Sequence, residues 1–299
     1  MHKIISALGG AKAADAFRKT VSGDPTGAPE WSKQMAIGSD AGLFGPGSAV
    51  WEVHGCIATL VGGIRALLMQ AAHPAALTGV AEHSAYDTDP LGRLERTTRW
   101  LTITSFGSTE AIATEARRVN QMHAHVIGEF QDRAGNHQRY SASDPRYLLW
   151  VHCAFTDSFL RAHQALGYPM TQSADSYVEQ WLKSAMPLGL LDGPRSQSEL
   201  SQTISSFARD EIVQISLTPP IVGFILKPPF GPGGLLFYRI LTNAAIATID
   251  EPFLSILGLK KRSKNWLRAS RILLNLLSYI LGPESPSQKI ARARIEAVQ

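Results

Sequence analysis

Three helix-like stretches of this chain each set a polar, chemically useful side chain on the face that ought to be buried. That pattern constrains the fold more than any other feature. In the clearest, Ile112, Ala116, Val119, His123, Val126, Ile127 and Phe130 recur at three- and four-residue spacing, which marks one face of a helix. A histidine inside such a stripe is either satisfied by a neighbouring group or bound to something. The stretch before it carries Arg93 and Thr97 four residues apart, and the stretch after it carries His152. Together they imply a polar pocket inside a helical core.

The 299 residues are 44% hydrophobic, enough for one large domain. Charged residues make up 18%, and with so large an apolar fraction the chain is not broadly disordered. The net charge is +4, but the basic residues are scattered rather than gathered in a tract, so no nucleic-acid partner is expected. The one cluster, Lys260-Lys261-Arg262 followed by Lys264, reads as a solvated turn or as a contact for anionic lipid or an acidic partner. Cys56 and Cys153 have no metal-like spacing and build no disulfide framework, which points to a reduced cytoplasmic setting. The chain's start lacks the apolar run of a secretion signal. No segment offers the ~18 to 20 uninterrupted apolar residues of a membrane span. The closest, Trp266 to Leu281, is broken by Arg268, Ser270, Arg271 and Asn275 and reads as a bundle helix, with a peripheral membrane contact as the alternative.

Cap and breaker residues outline the elements. A Gly- and Pro-rich loop over 38–47 leads into a helix from about Ser48 to His73, stopped by Pro74. Asp89-Pro90 starts a helix to about Phe106, Ser108 or Thr109 starts one to about Arg133, and Asp144-Pro145 starts one to about Gly167. Further helices are expected from about Ser173 to Pro187, more weakly from Gln197 to Ser216, and over Leu235–Ile249 and Asn265–Ile280, with proline breakers at 217–221 and 227–234. Period-two alternation is scarce. The expectation is an all-α, single large helical bundle of roughly ten helices. Residues 1–47 would be an extension, 48–259 the main domain, and 260–299 a helical segment packed on it.

Arg93 and Thr97 share a helix face with Trp100, Leu101 and Thr104. An arginine there needs an anion, and an ion pair with Asp87 or Asp157 competes with ligand binding. His123 and His125 are two residues apart and so point to different sides, with only His123 on the stripe. His123, His152 and His73 each have a plain structural alternative as satisfied core or helix-end groups. There is no HExxH, paired ExxH, GxSxG or glycine-rich phosphate loop, so hydrolase and nucleotide readings lack support. A lone imidazole in an apolar helical pocket, with cationic and hydroxyl groups near it, is what a haem requires.

Several spaced motifs carry a resemblance: Gln70-Ala-Ala-His73-Pro74, Gly79-Val80-x-x-His83-Ser84, Asp89-Pro90-x-x-Arg93-x-x-x-Thr97, Val119-x-x-x-His123-x-x-Val126-x-Gly128, Tyr140-x-Ala142-x-Asp144-Pro145 and Leu149-Trp150-Val151-His152. In that order they resemble the bacterial DUF2236 family, which includes the catalytic domains of latex-clearing rubber oxygenases and of the mycophenolate-pathway oxygenase. The resemblance implies a globin-like core enclosing a haem b pocket, with His123 as axial iron ligand. Arg93 and Thr97 would line the pocket, and Arg96 stands where the rubber enzymes have a lysine. His73 and His152 are further pocket or ligand candidates. Those enzymes use a carboxylate upstream of the arginine. Here 73–80 holds no acid, and Glu82 is nearest. The implied activity is oxygenation of a small apolar substrate, isoprenoid or lipid-like, by molecular oxygen. The alternatives are a haem sensor or carrier without catalysis, and a metal-free helical ligand-binding protein. The sequence admits homo-oligomers.

Overall fold

A computed structural model describes residues 11–84 and 88–297. It is helical almost throughout, with one small antiparallel hairpin as the exception. The described residues form fourteen α-helices rather than roughly ten. In chain order they are α1 (Ala11–Ser22), α2 (Ala49–Gly55), α3 (Thr59–Gln70), α4 (Pro74–His83), α5 (Pro90–Phe106) and α6 (Thr109–His123). The strands β1 (Ile127–Gln131) and β2 (His137–Ser141) follow, then α7 (Pro145–Ala165), α8 (Ala174–Leu182), α9 (Gln197–Asp210), α10 (Thr218–Leu226), α11 (Pro232–Ala247), α12 (Phe253–Ile256), α13 (Asn265–Leu281) and α14 (Pro286–Glu296).

The cap residues act as their chemistry requires. Ser48, Asp89, Ser108, Asp144 and Ser173 each accept a backbone N–H in the first turn of α2, α5, α6, α7 and α8, satisfying donors that no helical carbonyl can reach. Three sequence expectations need correction. The stretch 217–221, read as a breaker, opens α10, with its prolines in the first turn, where no helical N–H is needed. The helix expected from Ser48 to His73 is two helices, α2 and α3, bent by 92°. The break falls at Gly55, where the Gln288 side chain occupies the place a Cβ would take. The helix expected to reach Arg133 stops at His123, and the chain turns into the β1–β2 hairpin with Ile127 opposite Ser141. Asp132 Oδ1 stabilises the hairpin turn by accepting from the N–H groups of Ala134 and Asn136 (both 2.9 Å).

The centre of the molecule is the crossing of α3 with α7. Gly62 permits it, since a Cβ there would lie 3.1 Å from Phe159 Cα. Val61, Ile64 and Leu68 of α3 and Trp150, Cys153, Ala154 and Leu160 of α7 are buried here, together with Trp181, Phe207 and Leu241 from α8, α9 and α11. A second apolar cluster joins Trp31, Met35, Trp51, Ile103, Phe106, Ile112 and Ala291. Arg294 of α14 ties its parts together by donating to the carbonyls of Met35, Asp40 and Phe106. Among the described residues no single helix is long and apolar enough to cross a membrane.

Candidate functional site

Helices α5 and α6 form an antiparallel hairpin closed by Gly107-Ser108. Near the turn it is tight: every residue from Ile103 to Ser108 is buried. Midway, Arg99 of α5 donates to Glu115 of α6 (Nε to Oε2, 2.9 Å), and Arg118 donates to the other carboxylate oxygen (Nε to Oε1, 3.0 Å). Glu115 has no exposure at all, so both oxygens of this buried acid are matched by cations, as burial demands. Beyond that pair the hairpin opens. No residue from Gly92 to Thr102 is fully buried, although Leu94, Trp100 and Leu101 are among them.

Arg93 and His123 both lie at this open end. Arg93 is six residues beyond Arg99 and His123 is eight beyond Glu115, or roughly 9 and 12 Å along their helices. His123 is the last residue of α6 and continues the buried face of Ile112, Ala116 and Val119. It is half-buried, its Nδ1 is buried without a partner, and its imidazole makes no hydrogen bond among the described residues. Burial lowers its pKa, so it stands neutral near pH 7 with a lone pair to offer. His125 is exposed and hydrogen-bonds the Gln121 carbonyl at 2.8 Å. Close to His123, Met122 and Ile127 are 43% and 59% exposed, an unusual amount of open apolar surface beside one imidazole.

Arg93 has no ion-pair partner among the described residues. Asp157, one of its two expected partners, is held elsewhere, and Asp87 lies outside the described residues. Burial, and next the repulsion of Arg96, bring its guanidinium down to about 10. Among the described residues it is a half-buried cation lacking a counter-ion. Thr97 donates its hydroxyl to the Arg93 carbonyl (3.2 Å). Arg96 is exposed and reaches back to Asp89 at 3.5 Å. Asp89 also caps α5 through the Gly92 N–H (3.0 Å).

The other two candidate histidines belong to the core. His73 Nδ1 accepts from the Ala75 N–H (3.2 Å), capping α4, and Nε2 donates to Glu211 Oε2 (3.1 Å). Arg146 joins the same carboxylate at 3.0 Å. With both nitrogens engaged, His73 has no lone pair left for a metal. His152 is buried on α7, 3.4 Å from Thr156 Oγ1, and burial depresses its pKa to about 4.

Sequence reasoning passed over three polar groupings. Arg65 is buried and donates from Nη2 to Asp157 Oδ2 (2.7 Å) and from Nη1 to Ser158 Oγ (2.8 Å); Arg161 holds Asp157 Oδ1 at 2.7 Å. A signal was present: between Glu52 and Glu82, Arg65 is the lone Asp, Glu, Lys or Arg. His54 lies between Ser105 Oγ and the Tyr177 hydroxyl, each at 2.9 Å, with Trp181 packed 4.1 Å from its ring centre. Burial takes its pKa to about 3. Three separate helices supply that trio, so no local pattern announces it. Glu82 accepts from the Tyr140 hydroxyl at 2.6 Å. Gly128 leaves room for the bond, since a Cβ there would sit 2.7 Å from both oxygens.

A haem needs one accessible neutral imidazole, apolar walls and cations for its propionates. The open end of α5–α6 offers an imidazole and a guanidinium that no described residue engages, beside the exposed Met122 and Ile127. These residues fit the group. Among the described residues no three His, Cys, Asp or Glu side chains gather closely enough to hold a metal by themselves, so a metal bound here would take most of its ligands from a prosthetic group. An open cavity of about 730 Å³ lies between α7 and α9, lined by Asp157, Arg161, Gln197, Ser201, Gln202 and Arg209. Its lining is polar and charged, the opposite of what a porphyrin requires.

No curated protein and no solved structure matches the chain. The family described as ER-bound oxygenase mpaB/B'/Rubber oxygenase, catalytic domain, matches residues 51–279, which takes in α2 to nearly the end of α13 and with them the whole α5–α6 hairpin. The chain belongs to this family of oxygenase catalytic domains.

Proposed function

We propose that the chain is a haem b-dependent oxygenase acting with molecular oxygen on a small apolar substrate, isoprenoid or lipid-like. The observation that carries this reading is that the open end of α5–α6 holds an imidazole and a guanidinium that no described residue engages. His123 holds the iron through its neutral ring, and Arg93 pairs with a propionate. Thr97, one turn along from Arg93, lines the same face. Met122 and Ile127 would supply apolar surface to the bound group and help exclude water. Bound haem supplies a redox-active iron at which dioxygen is activated. The reaction suggested by kinship is insertion of both oxygen atoms across a carbon–carbon double bond. The bond breaks to give two carbonyls, and the atoms balance without an external reductant.

Arg96 points to solvent and pairs with Asp89, so its part is to fix the start of α5 rather than to face the substrate. His73 fastens α4 to Glu211 just past α9, and His152 stays a neutral group inside α7. Glu82, the acid nearest the position of the rubber enzymes' carboxylate, is engaged by Tyr140. That engagement is the observation favouring a second reading, a haem-binding sensor or carrier. Supplying the haem-loaded protein with dioxygen and an apolar polyene separates the two. Oxygen uptake with matching carbonyl products supports the oxygenase. A stable oxygen or carbon monoxide complex, with no product from any alkene offered, supports the sensor.

A further inference from the structure

Helix α13 carries an exposed apolar face that the proposed haem site does not use. Its inner face is fully committed. Ser270 and Leu274 are buried, Ser270 donates to the Ile240 carbonyl of α11 (3.2 Å), and Arg271 stacks on Tyr168 at 3.7 Å while donating to the Leu166 carbonyl (2.6 Å). On the outer face Ile272, Leu276 and Tyr279 are 72%, 56% and 42% exposed. Their spacing of four and three makes one continuous stripe. Leu236 of the adjacent α11 is 63% exposed as well. Arg268 is exposed one turn before Ile272 on the same face, and the loop leading into the helix exposes Lys260, Arg262 and Lys264. None of these four cations has an ion pair among the described residues; Lys261 alone is taken, by Asp250 at 2.8 Å. From Pro252 to Pro283 the chain contains six basic residues and no acidic one.

We propose that this face of α13 docks on an anionic lipid bilayer. The stripe enters the boundary between headgroups and acyl chains, and Lys260, Arg262, Lys264 and Arg268 pair with lipid phosphates. Exposed Ile272 and Leu276, with Leu236 close by, beside cations that no described residue pairs, are what a helix lying in a bilayer surface presents. A second copy of the chain is a poorer occupant, because a two-fold contact through this face would bring two acid-free cationic clusters together. The proposal goes beyond the oxygenase reading, and its test needs no haem.

The test is flotation of the full chain with vesicles of phosphatidylcholine alone and with vesicles that also contain phosphatidylglycerol. The intact protein is expected to float with the anionic vesicles only, and high salt should release it. Ile272→Gln with Leu276→Gln should weaken that binding at least tenfold or so. Lys260→Gln, Arg262→Gln and Lys264→Gln together should weaken it by about a hundredfold. All five side chains are exposed, so thermal melting should stay unchanged, which separates lost docking from lost fold. Wild-type protein that ignores both kinds of vesicle would overturn the proposal. So would equal, salt-insensitive binding to both kinds. A lipid-free dimer that the Ile272/Leu276 variant dissolves would also overturn it, since the face would then belong to a second copy.

Discussion

The α3–α7 crossing and the open end of α5–α6 both hold charged or ionisable side chains, but they treat them in opposite ways. At the crossing, Asp157 is shared between Arg65 and Arg161, and Arg161 passes on to Asp250 (3.2 Å) and thence to Lys261. Each charge there has its opposite. At the open end Arg93 has no counter-ion among the described residues and His123 has no hydrogen bond. Burying polar groups unmatched is costly, so the first arrangement is structural and closed, while the second calls for a partner from outside the chain. The crossing leaves the buried Arg65 Nε and Trp150 Nε1 without a hydrogen bond, yet its charges are matched, whereas at the open end no described residue matches the charge itself.

The sharpest way to break the comparison is to unbalance the closed region. Asp157→Ala strands Arg65 and should cost about 3–5 kcal/mol of stability in a urea melt. Replacing Arg65 by Met in the same chain should recover much of that loss. A mild single variant would mean that the crossing tolerates unpaired charge, and the argument from Arg93 would fall with it.

Acid should produce the next largest effect. The His54 and His152 imidazoles are depressed from 6.5 to about 3 and about 4 by burial. In the unfolded chain they take up protons near pH 6.5, and the folded protein resists doing so. Stability is therefore fully present above about pH 6.5 and declines as pH falls toward the folded values, by about 1–2 kcal/mol per histidine at pH 5. Urea melts at pH 7 and pH 5 read this directly. Equal midpoints would show that neither ring is shut away from water.

Arg93→Met should change the stability of the haem-free protein by less than about 1 kcal/mol, because no ion pair is lost, yet it should weaken hemin affinity. A loss of the size expected for Asp157→Ala would reveal a structural partner. His125→Ala, on an exposed ring, should fall within about 0.5 kcal/mol of the parent in the same melts.

Helix starts were readable because a cap is local: Asp89-Pro90, Ser108 and Asp144-Pro145 each place an acceptor within three residues of the N–H it satisfies. Helix ends were less so. The apolar stripe of α6 runs on through Val126, Ile127 and Phe130 at helical spacing, yet the chain turns at His123 because β1 is held by β2 and by α4. Asp132 and Gly135, which has φ +84°, were the only local hints of that hairpin. At the candidate site the same split holds. His123 lies on the inward stripe that the spacing marks, whereas His125 lies in the turn past the end of α6, where the helical offset no longer sets its direction. The engagement of His73 by Glu211, 138 residues away, and the fastening of His54 by Ser105 and Tyr177 depend on helices meeting, which periodicity along the chain does not encode.

The central claim is that the imidazole at position 123 has no partner among the described residues because it is meant for iron. Titrating hemin into the purified full-length protein, and into its His123→Ala and His125→Ala variants, while following the Soret band, tests that claim directly. The account predicts a sharp Soret band for the parent and for His125→Ala, and a weak, unligated spectrum for His123→Ala. A parent that leaves free hemin unchanged, or a band lost with His125 and kept without His123, would contradict it.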